Sequence, residues 1–472
     1  VSGAWSEAGA FGELRSLTSR RPSAEAFARV CALVEQAEAA APGLYAERWA
    51  AYLAGSLERW PSSTRSVKLT SKEQAEEVAR APWSDLVRGV AIQRFLELKE
   101  AADTRWLVEE FRAEMPWLEH IGFEYTLVRK REVERACEVG VFVGLTSLGF
   151  DECDLRVPTL DVLLTHLDGL GALRRLAMTW CYMGPKQLRR LLESELIGQL
   201  EHLDLSNNRS FKVDGFAALA EAAPRFAALR TLALNGMEPP AKGMALVGGA
   251  AWPDALERIE VTGNAMGPTG LKGFVETGAL WRLFGRRGEE VALNLRYQSL
   301  GNRGVKVLAG SPELAEVEAL SLDWNDILDL GPLARSPYVG ALRAWSLRGN
   351  ESGEALAQGA LELARRTRPR RLDLRECELG DAFVEGLCGM EESRELEVLL
   401  IDGYEPFGEA ALEALMSWPR LDALERFSCT FEVPEGSAAA TWAMRDARVQ
   451  VTTRDAAAQE TVMVSATWSG NG

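Results

Sequence analysis

The chain of 472 residues predicts an α/β fold of one kind, a curved solenoid or horseshoe with parallel strands on its concave face and helices on its convex face. Three observations carry that expectation. The stretch LEHLDLSNN from Leu200 to Asn208 spaces its leucines as L-x-x-L-x-L and then places an asparagine. The same spacing recurs along the chain, and between the copies lie segments with the period of a one-faced helix.

Aligned on Leu200, the preceding copies are Leu145, Leu148, Phe150, Cys153 and Leu173, Leu176, Met178, Cys181. Later ones include Leu256, Ile259, Val261, Asn264, then Val317, Leu320, Leu322, Asn325, then Leu342, Trp345, Leu347, Asn350. From the repeat that starts at 145 to the one that starts at 424, most steps are 27 to 29 residues. Fainter copies run back through Leu118, Ile121, Phe123 to Val67 and Leu69, giving about fourteen repeats. The helical halves are seen in FAALAEAA after Gly215 and GEAALEALMSW from Gly408, with apolar residues three and four apart. A single strand and helix cannot bury a core, whereas stacked neighbours can. Because helices are wider than strands, the strands must line the inside of the curve.

These motifs resemble the ribonuclease-inhibitor-like class of leucine-rich repeat proteins, with repeats of about 28 residues and Asn or Cys at the ninth position. The resemblance spans roughly residues 64–431. It implies a partner held along the concave strand face, without saying which, since one fold hosts unrelated activities. Met237, Gln298 and Tyr404 depart from the ninth-position pattern, and looser turns are expected there. A step of 34 residues between the repeats starting at 256 and 290 marks an insertion near 280–290. The expected organisation is an N-terminal helical cap over 1–63, the solenoid over 64–431, and a C-terminal cap and tail over 432–472. Within the caps, Ala24–Ala41 and Tyr45–Trp60 read as amphipathic helices, while the alternation at Val449 and Val451 and the segment VMVSATW read as strands.

Composition narrows the function classes. A net charge of −16 argues against nucleic acid as partner, because such affinity comes mainly from Lys and Arg neutralising phosphates. The seven cysteines lack C-x-x-C spacing, which favours reduced thiols over a disulfide scaffold or zinc ribbon. No apolar run reaches the length of a membrane span, and the start lacks the pattern of a secretory signal, so the cytoplasm is the expected location. The sequence holds no P-loop, H-E-x-x-H or G-x-S-x-G motif. His120 and His202 both fall at the third position of their repeats, but three repeats separate them, about 14 Å at the spacing of neighbouring strands, too far to share a metal. Neither catalytic residues, metal ligands, a cofactor nor a small-molecule substrate is therefore expected.

Strand side chains alternate, so with positions four and six inward, positions three, five and seven face outward. Position seven reads Arg296, Asp323, Arg348, Arg375 and Asp402 along the later repeats, with Asp373 beside Arg375. Position eight adds Trp180, Tyr297 and Trp324. Aromatics and arginine are enriched in binding hot spots, and these nine residues form the expected partner-binding surface. The competing reading is that the charges pair across strands and only keep the face soluble, each pair contributing about 0 to 1 kcal/mol, while the indoles pack on the following turn. The expected function is a non-enzymatic interaction scaffold or an inhibitor that covers a protein partner. Alternatives are a regulator of a nucleotide-hydrolysing enzyme, since repeats of this class also resemble GTPase-activating proteins of the Ran type, and a self-assembling structural solenoid.

Overall fold

The computed structural model describes residues 5–20, 22–60, 64–93, 115–125, 128–138, 140–287, 290–350, 353–403, 405–434, 441, 449–453 and 461–469, with side chains throughout except at 72, 93, 286, 287, 433, 434, 449–453 and 461–469. Tyr404 lies outside these residues. The chain forms two compact units, one of Val1–Phe211, Glu221–Leu234 and Trp252–Glu257, the other of Lys212–Ala220, Asn235–Ala251 and Arg258–Gly472.

The first unit opens with the helices Glu7–Thr18 and Ala24–Ala40, followed by a π-helical turn Tyr45–Trp49 that runs into Ala50–Leu57. Serines start both leading helices: Ser6 accepts from Gly9 N at 3.2 Å and Ser23 from Ala26 N at 3.1 Å, satisfying amides that a helix start leaves without partners. Phe27, Val34, Trp49, Leu53 and Leu57 are buried between these helices and the repeats. Buried Arg65 fixes that junction, donating to Leu57 O at 3.3 Å and from Nη2 to Leu86 O at 2.8 Å. The strands that follow are β1 Ser66–Leu69, β2 Gly89–Gln93, β3 His120–Glu124, β4 Ser147–Asp151, β5 Arg175–Thr179, β6 His202–Asp204 and β7 Thr231–Ala233, parallel and in sequence order. Their register stacks like positions on one another, Leu148 beside Leu176, Leu176 beside Leu203 and Leu203 beside Leu232, all buried.

In the second unit the strands are β8 Arg258–Glu260, β9 Phe284–Arg287, β10 Glu290–Asn294, β11 Ala319–Ser321, β12 Ala344–Ser346, β13 Arg371–Asp373, β14 Val398–Leu400, β15 Arg426–Pro434, β16 Val449–Thr453 and β17 Thr461–Ser469. From β10 to β15 the pairing is parallel, and the fourth position forms one buried row: Leu293, Leu320, Trp345, Leu372, Leu399 and Phe427. Full burial of each such side chain stabilises by roughly 1.5 to 3 kcal/mol. Both flanks of this parallel block are antiparallel. The insertion is a 3₁₀ turn Leu280–Leu283 followed by β9, which pairs antiparallel with β10, and at the other flank β15 pairs with β17 and β17 with β16. Strand and helix thus alternate in a parallel repeat architecture, compatible with a leucine-rich-repeat-like solenoid.

The ninth position ties each turn to the one before it. Asn325 Nδ2 donates to Leu295 O at 2.7 Å while its Oδ1 accepts from Gln298 N at 3.0 Å. Asn350 donates to Leu322 O at 2.9 Å and accepts from Asn325 N at 3.1 Å. Cys153, Cys181 and Cys377 perform the donor half alone, through Sγ to Phe123 O, Phe150 O and Leu347 O. Looser turns at Met237 and Gln298 are not what the structure holds. Gln298 is fully buried and does the work of asparagine, donating to Val261 O at 2.8 Å, and Met237 packs inward while Asn264 accepts its amide at 2.7 Å. Gln298 stands where β9 takes the edge of β10, and its extra methylene gives it the reach to the preceding repeat.

Candidate functional site

Position eight is built by backbone conformation before it is built by side chains. Trp180, Tyr297, Trp324 and Glu376 have φ of 52°, 55°, 55° and 59°, and Gly349 has 67°. A non-glycine residue held there costs about 1 kcal/mol or more, so its surroundings must impose it. The amides supply the constraint: Tyr297 N donates to Asp323 O at 3.0 Å, Trp324 N to Arg348 O at 2.8 Å and Gly349 N to Arg375 O at 3.0 Å. Left-handed geometry lifts the side chain out of the strand and over its neighbour's turn. Tyr297 and Trp324 accordingly stack, with ring centroids 5.9 Å apart and planes inclined by 8°, and the Arg296 guanidinium lies 5.5 Å from the Tyr297 ring centre. Tyr297 remains 48% exposed. Trp180, in the first unit, is 37% exposed and carries Arg209 at 5.4 Å from its ring centre.

Beside the Tyr297 and Trp324 stack, the outward positions of β10 to β15 line a groove of about 480 Å³. Its floor is small: Ala292, Ala319 and Ala344 at position three, with Ser321 and Ser346 at position five. The charged lining is Arg296, Asp323, Arg371, Asp373, Arg375 and Arg426. The small floor lets Arg371 of β13 reach back across two strands and hold both carboxylate oxygens of Glu290 on β10. Position seven supplies two cross-strand ion pairs, Arg296 to Asp323 at 3.1 Å and Arg348 to Glu376 at 2.6 Å. Arg375 instead pairs within its own repeat, through Nε and Nη2 to Asp373 at 2.8 and 2.6 Å.

The carboxylates here are also parts of the sheet. Asp323 accepts from Ser346 Oγ and from Arg348 N, and Asp402 accepts from Ser428 Oγ. Burial pushes both carboxyls above their ordinary values, against the pull of those hydroxyls and of Arg296 and Arg375. Asp373 holds Arg375 above the usual guanidinium value. Not every polar group is satisfied: among the described residues, Arg296 Nε, Ser321 Oγ and Arg371 Nε are buried without a hydrogen bond, the angle from Arg296 Nε to Asp323 being too poor for one. All three residues line the groove.

Eight of the nine residues singled out from the sequence therefore lie on the second unit, and Trp180 lies on the first. Sequence reasoning at positions seven and eight missed Glu290, Arg371 and Arg426, which the same alternation placed outward at or near position three. The basic run around Arg365 to Arg371 is largely engaged, Arg366 donating to Ala334 O at 2.8 Å and Arg370 standing 3.7 Å from Glu397. In the insertion Arg282 covers Trp281 at 4.5 Å from its ring centre. Four of the thiols are poor nucleophiles, since burial pushes Cys31, Cys181, Cys377 and Cys388 up to about 12. Among the described residues, no group of three or more His, Cys, Asp and Glu gathers around a metal-sized space, and no helix is long and apolar enough to cross a membrane.

Comparisons with known proteins add little. Scans against protein-family models and curated proteins give no match. Among solved structures, the chain is similar to the crystal structure of Rad7 and Elc1 complex in yeast, with 12% identity and a TM-score of 0.38 over 73% of this chain and 89% of that chain. At that score the likeness carries no argument about function.

Proposed function

We propose that the chain is a non-enzymatic interaction protein of the ribonuclease-inhibitor-like leucine-rich repeat class, about fourteen repeats curved as a horseshoe, which holds a protein partner on its concave strand face as a scaffold or inhibitor. The observation that carries this reading is the stack of exposed Tyr297 on half-buried Trp324, beside a charged groove floored by alanine and serine. A rigid aromatic ledge next to a hollow is what an interface needs for anchoring, because little side-chain entropy is lost when a partner covers it. The ion pairs Arg296 to Asp323 and Arg348 to Glu376 support both folding and recognition, since they set which charges a partner must match. Trp180 and its covering Arg209 offer a further contact in the first unit.

The test is recovery of partners from a lysate of the source by wild type and by a variant carrying Trp180→Ala, Tyr297→Ala, Trp324→Ala and Arg348→Ala, with circular dichroism and the thermal midpoint compared first. A partner recovered by wild type and lost from the folded variant is the expected result. Equal recovery by both proteins overturns the assignment of the site.

A further inference from the structure

From the groove over β10 to β15 we infer the chemistry of what it holds: an extended, acidic peptide segment of the partner. The inference rests on the partner-binding reading and deepens it. Three observations carry it. The lining has four arginines, Arg296, Arg371, Arg375 and Arg426, against two aspartates, Asp323 and Asp373, and the Glu290 that Arg371 holds, which leaves a local charge of +1 in a chain of −16. Arg426 is exposed and has no ion pair among the described residues. Arg296 Nε, Ser321 Oγ and Arg371 Nε are three donors in one groove without a well-formed hydrogen bond, the first two facing only Asp323, although most buried donors in a folded protein have one. Their guanidiniums are 38% and 30% exposed as side chains, so a small rotation brings them onto an incoming carboxylate.

Dimensions favour a peptide. Five strand-to-strand steps of about 4.8 Å make a run of roughly 24 Å, the length of about seven extended residues. The alanine floor leaves backbone-sized depth rather than a pit for a ring. Asp323 and Asp373 stand among the arginines and oppose a chain charged at every step, whereas a peptide can carry carboxylates over the repeats of β10, β13 and β15, where the arginines stand, and uncharged residues between them. A nucleic acid strand has no such spacing to choose, and the overall charge repels it.

The full chain is titrated, at physiological ionic strength, with a fluorescein-labelled peptide of about seven residues alternating aspartate and alanine, read by anisotropy. The same peptide with asparagine for aspartate and a thymidine oligonucleotide of equal length are run beside it. Binding of the aspartate peptide at least about tenfold tighter than the asparagine peptide is expected, with a loss of about threefold or more in Arg426→Gln and in Arg371→Gln. Arg371→Gln leaves Glu290 without its partner, so Arg426→Gln, which breaks no ion pair described, keeps the test independent of folding. Equal binding of the two peptides, or no binding, overturns the inference. An oligonucleotide that binds as tightly as the aspartate peptide, with the same losses, overturns it in favour of a general polyanion site. If the peptide fails while a captured partner is still lost from the Tyr297 and Trp324 variant, the acidic-peptide inference alone falls. If the peptide fails and the partner is insensitive to that variant, the partner-binding reading falls too.

Discussion

The indole of Trp324 occupies the space that a side chain at residue 349 would fill: a β-carbon on Gly349 would stand 2.5 Å from Trp324 Cδ2 and 2.6 Å from Cε2 and Cε3. Gly349 also has a φ of +67°, where a β-carbon is strained whatever the space. Gly349→Ala is expected to cost about 2 kcal/mol, roughly half from the backbone and half from displacing the ring. A double-mutant cycle with Trp324→Ala separates the two terms, because the steric part vanishes when the ring is gone. Strict additivity in denaturant melts would show that the ring and the glycine do not oppose each other.

Gln298 is expected to be irreplaceable by the residue that the repeat pattern prefers. It donates to Val261 O at 2.8 Å and Arg296 O at 3.1 Å from a fully buried position. Gln298→Asn shortens the arm and strands Val261 O, at a cost of about 1 to 3 kcal/mol. Asn325→Gln, the reverse change in a regular turn, is expected to cost a similar amount by overfilling. A stabilised Gln298→Asn protein in equilibrium unfolding would contradict this account.

Acid should weaken the first unit through His120. Burial lowers its pKa from 6.5 to about 4, and its Nδ1 lies 2.8 Å from Ser147 Oγ. Between those two values the unfolded chain binds a proton that the folded chain refuses. Stability from this group is therefore complete above about pH 6.5, declines as pH falls through the window, and levels off below about 4, for a total on the order of 3 kcal/mol. The raised carboxyls of Asp323 and Asp402 act with the opposite sign, retaining protons in the folded state above the ordinary carboxylate range. The measurement is consequently the difference between wild type and His120→Asn in urea melts across that range. Parallel curves for the two proteins would remove His120 as the cause.

Glu290→Gln is expected to change stability by less than about 1 kcal/mol, because the ion pair with Arg371 is about one-third exposed on each side. It frees the guanidinium for a ligand. Affinity for the aspartate peptide should then rise about two- to fivefold. Weaker binding in the same anisotropy titration would mean that Glu290 serves to position Arg371 rather than to compete for it.

The parts of the fold that were legible in the sequence are those set by local periodicity. Leu293, Leu320, Trp345 and Leu372 could be placed in one buried row because a two-residue alternation and a near-constant step fix both face and register. The ninth-position asparagines were legible because a turn that must satisfy amides and carbonyls on two sides needs a side chain with both functions. The 34-residue step located the insertion but not its form, since an antiparallel strand such as β9 depends on which edge is open. The helix Glu7–Thr18 went unread because its apolar face is short, only Ala10 and Leu14 being buried on it. Position eight was assigned to the partner surface by its residue types, with packing on the following turn as the competing reading. No propensity of tryptophan or tyrosine indicates a positive φ, which the neighbouring turns impose. The Glu290 and Arg371 pair, separated by 81 residues, depends on the alanines between them leaving a clear path, a property of the assembled sheet.

The hairpin of β9 and β10 bears on how the second sheet comes to exist at all. A parallel sheet is slow to nucleate, because each pairing must first close a loop of a whole repeat. Arg287 pairs with Glu290 across a connection of two residues, so the insertion gives β10 a partner at almost no loop-closure cost. Hairpins form in about 1 to 10 μs, far ahead of the parallel ladder, and each later strand then meets a template already formed. Removing the insertion is expected to slow refolding of the second unit more than it speeds unfolding, as stopped-flow fluorescence of Trp345 and its neighbours would record.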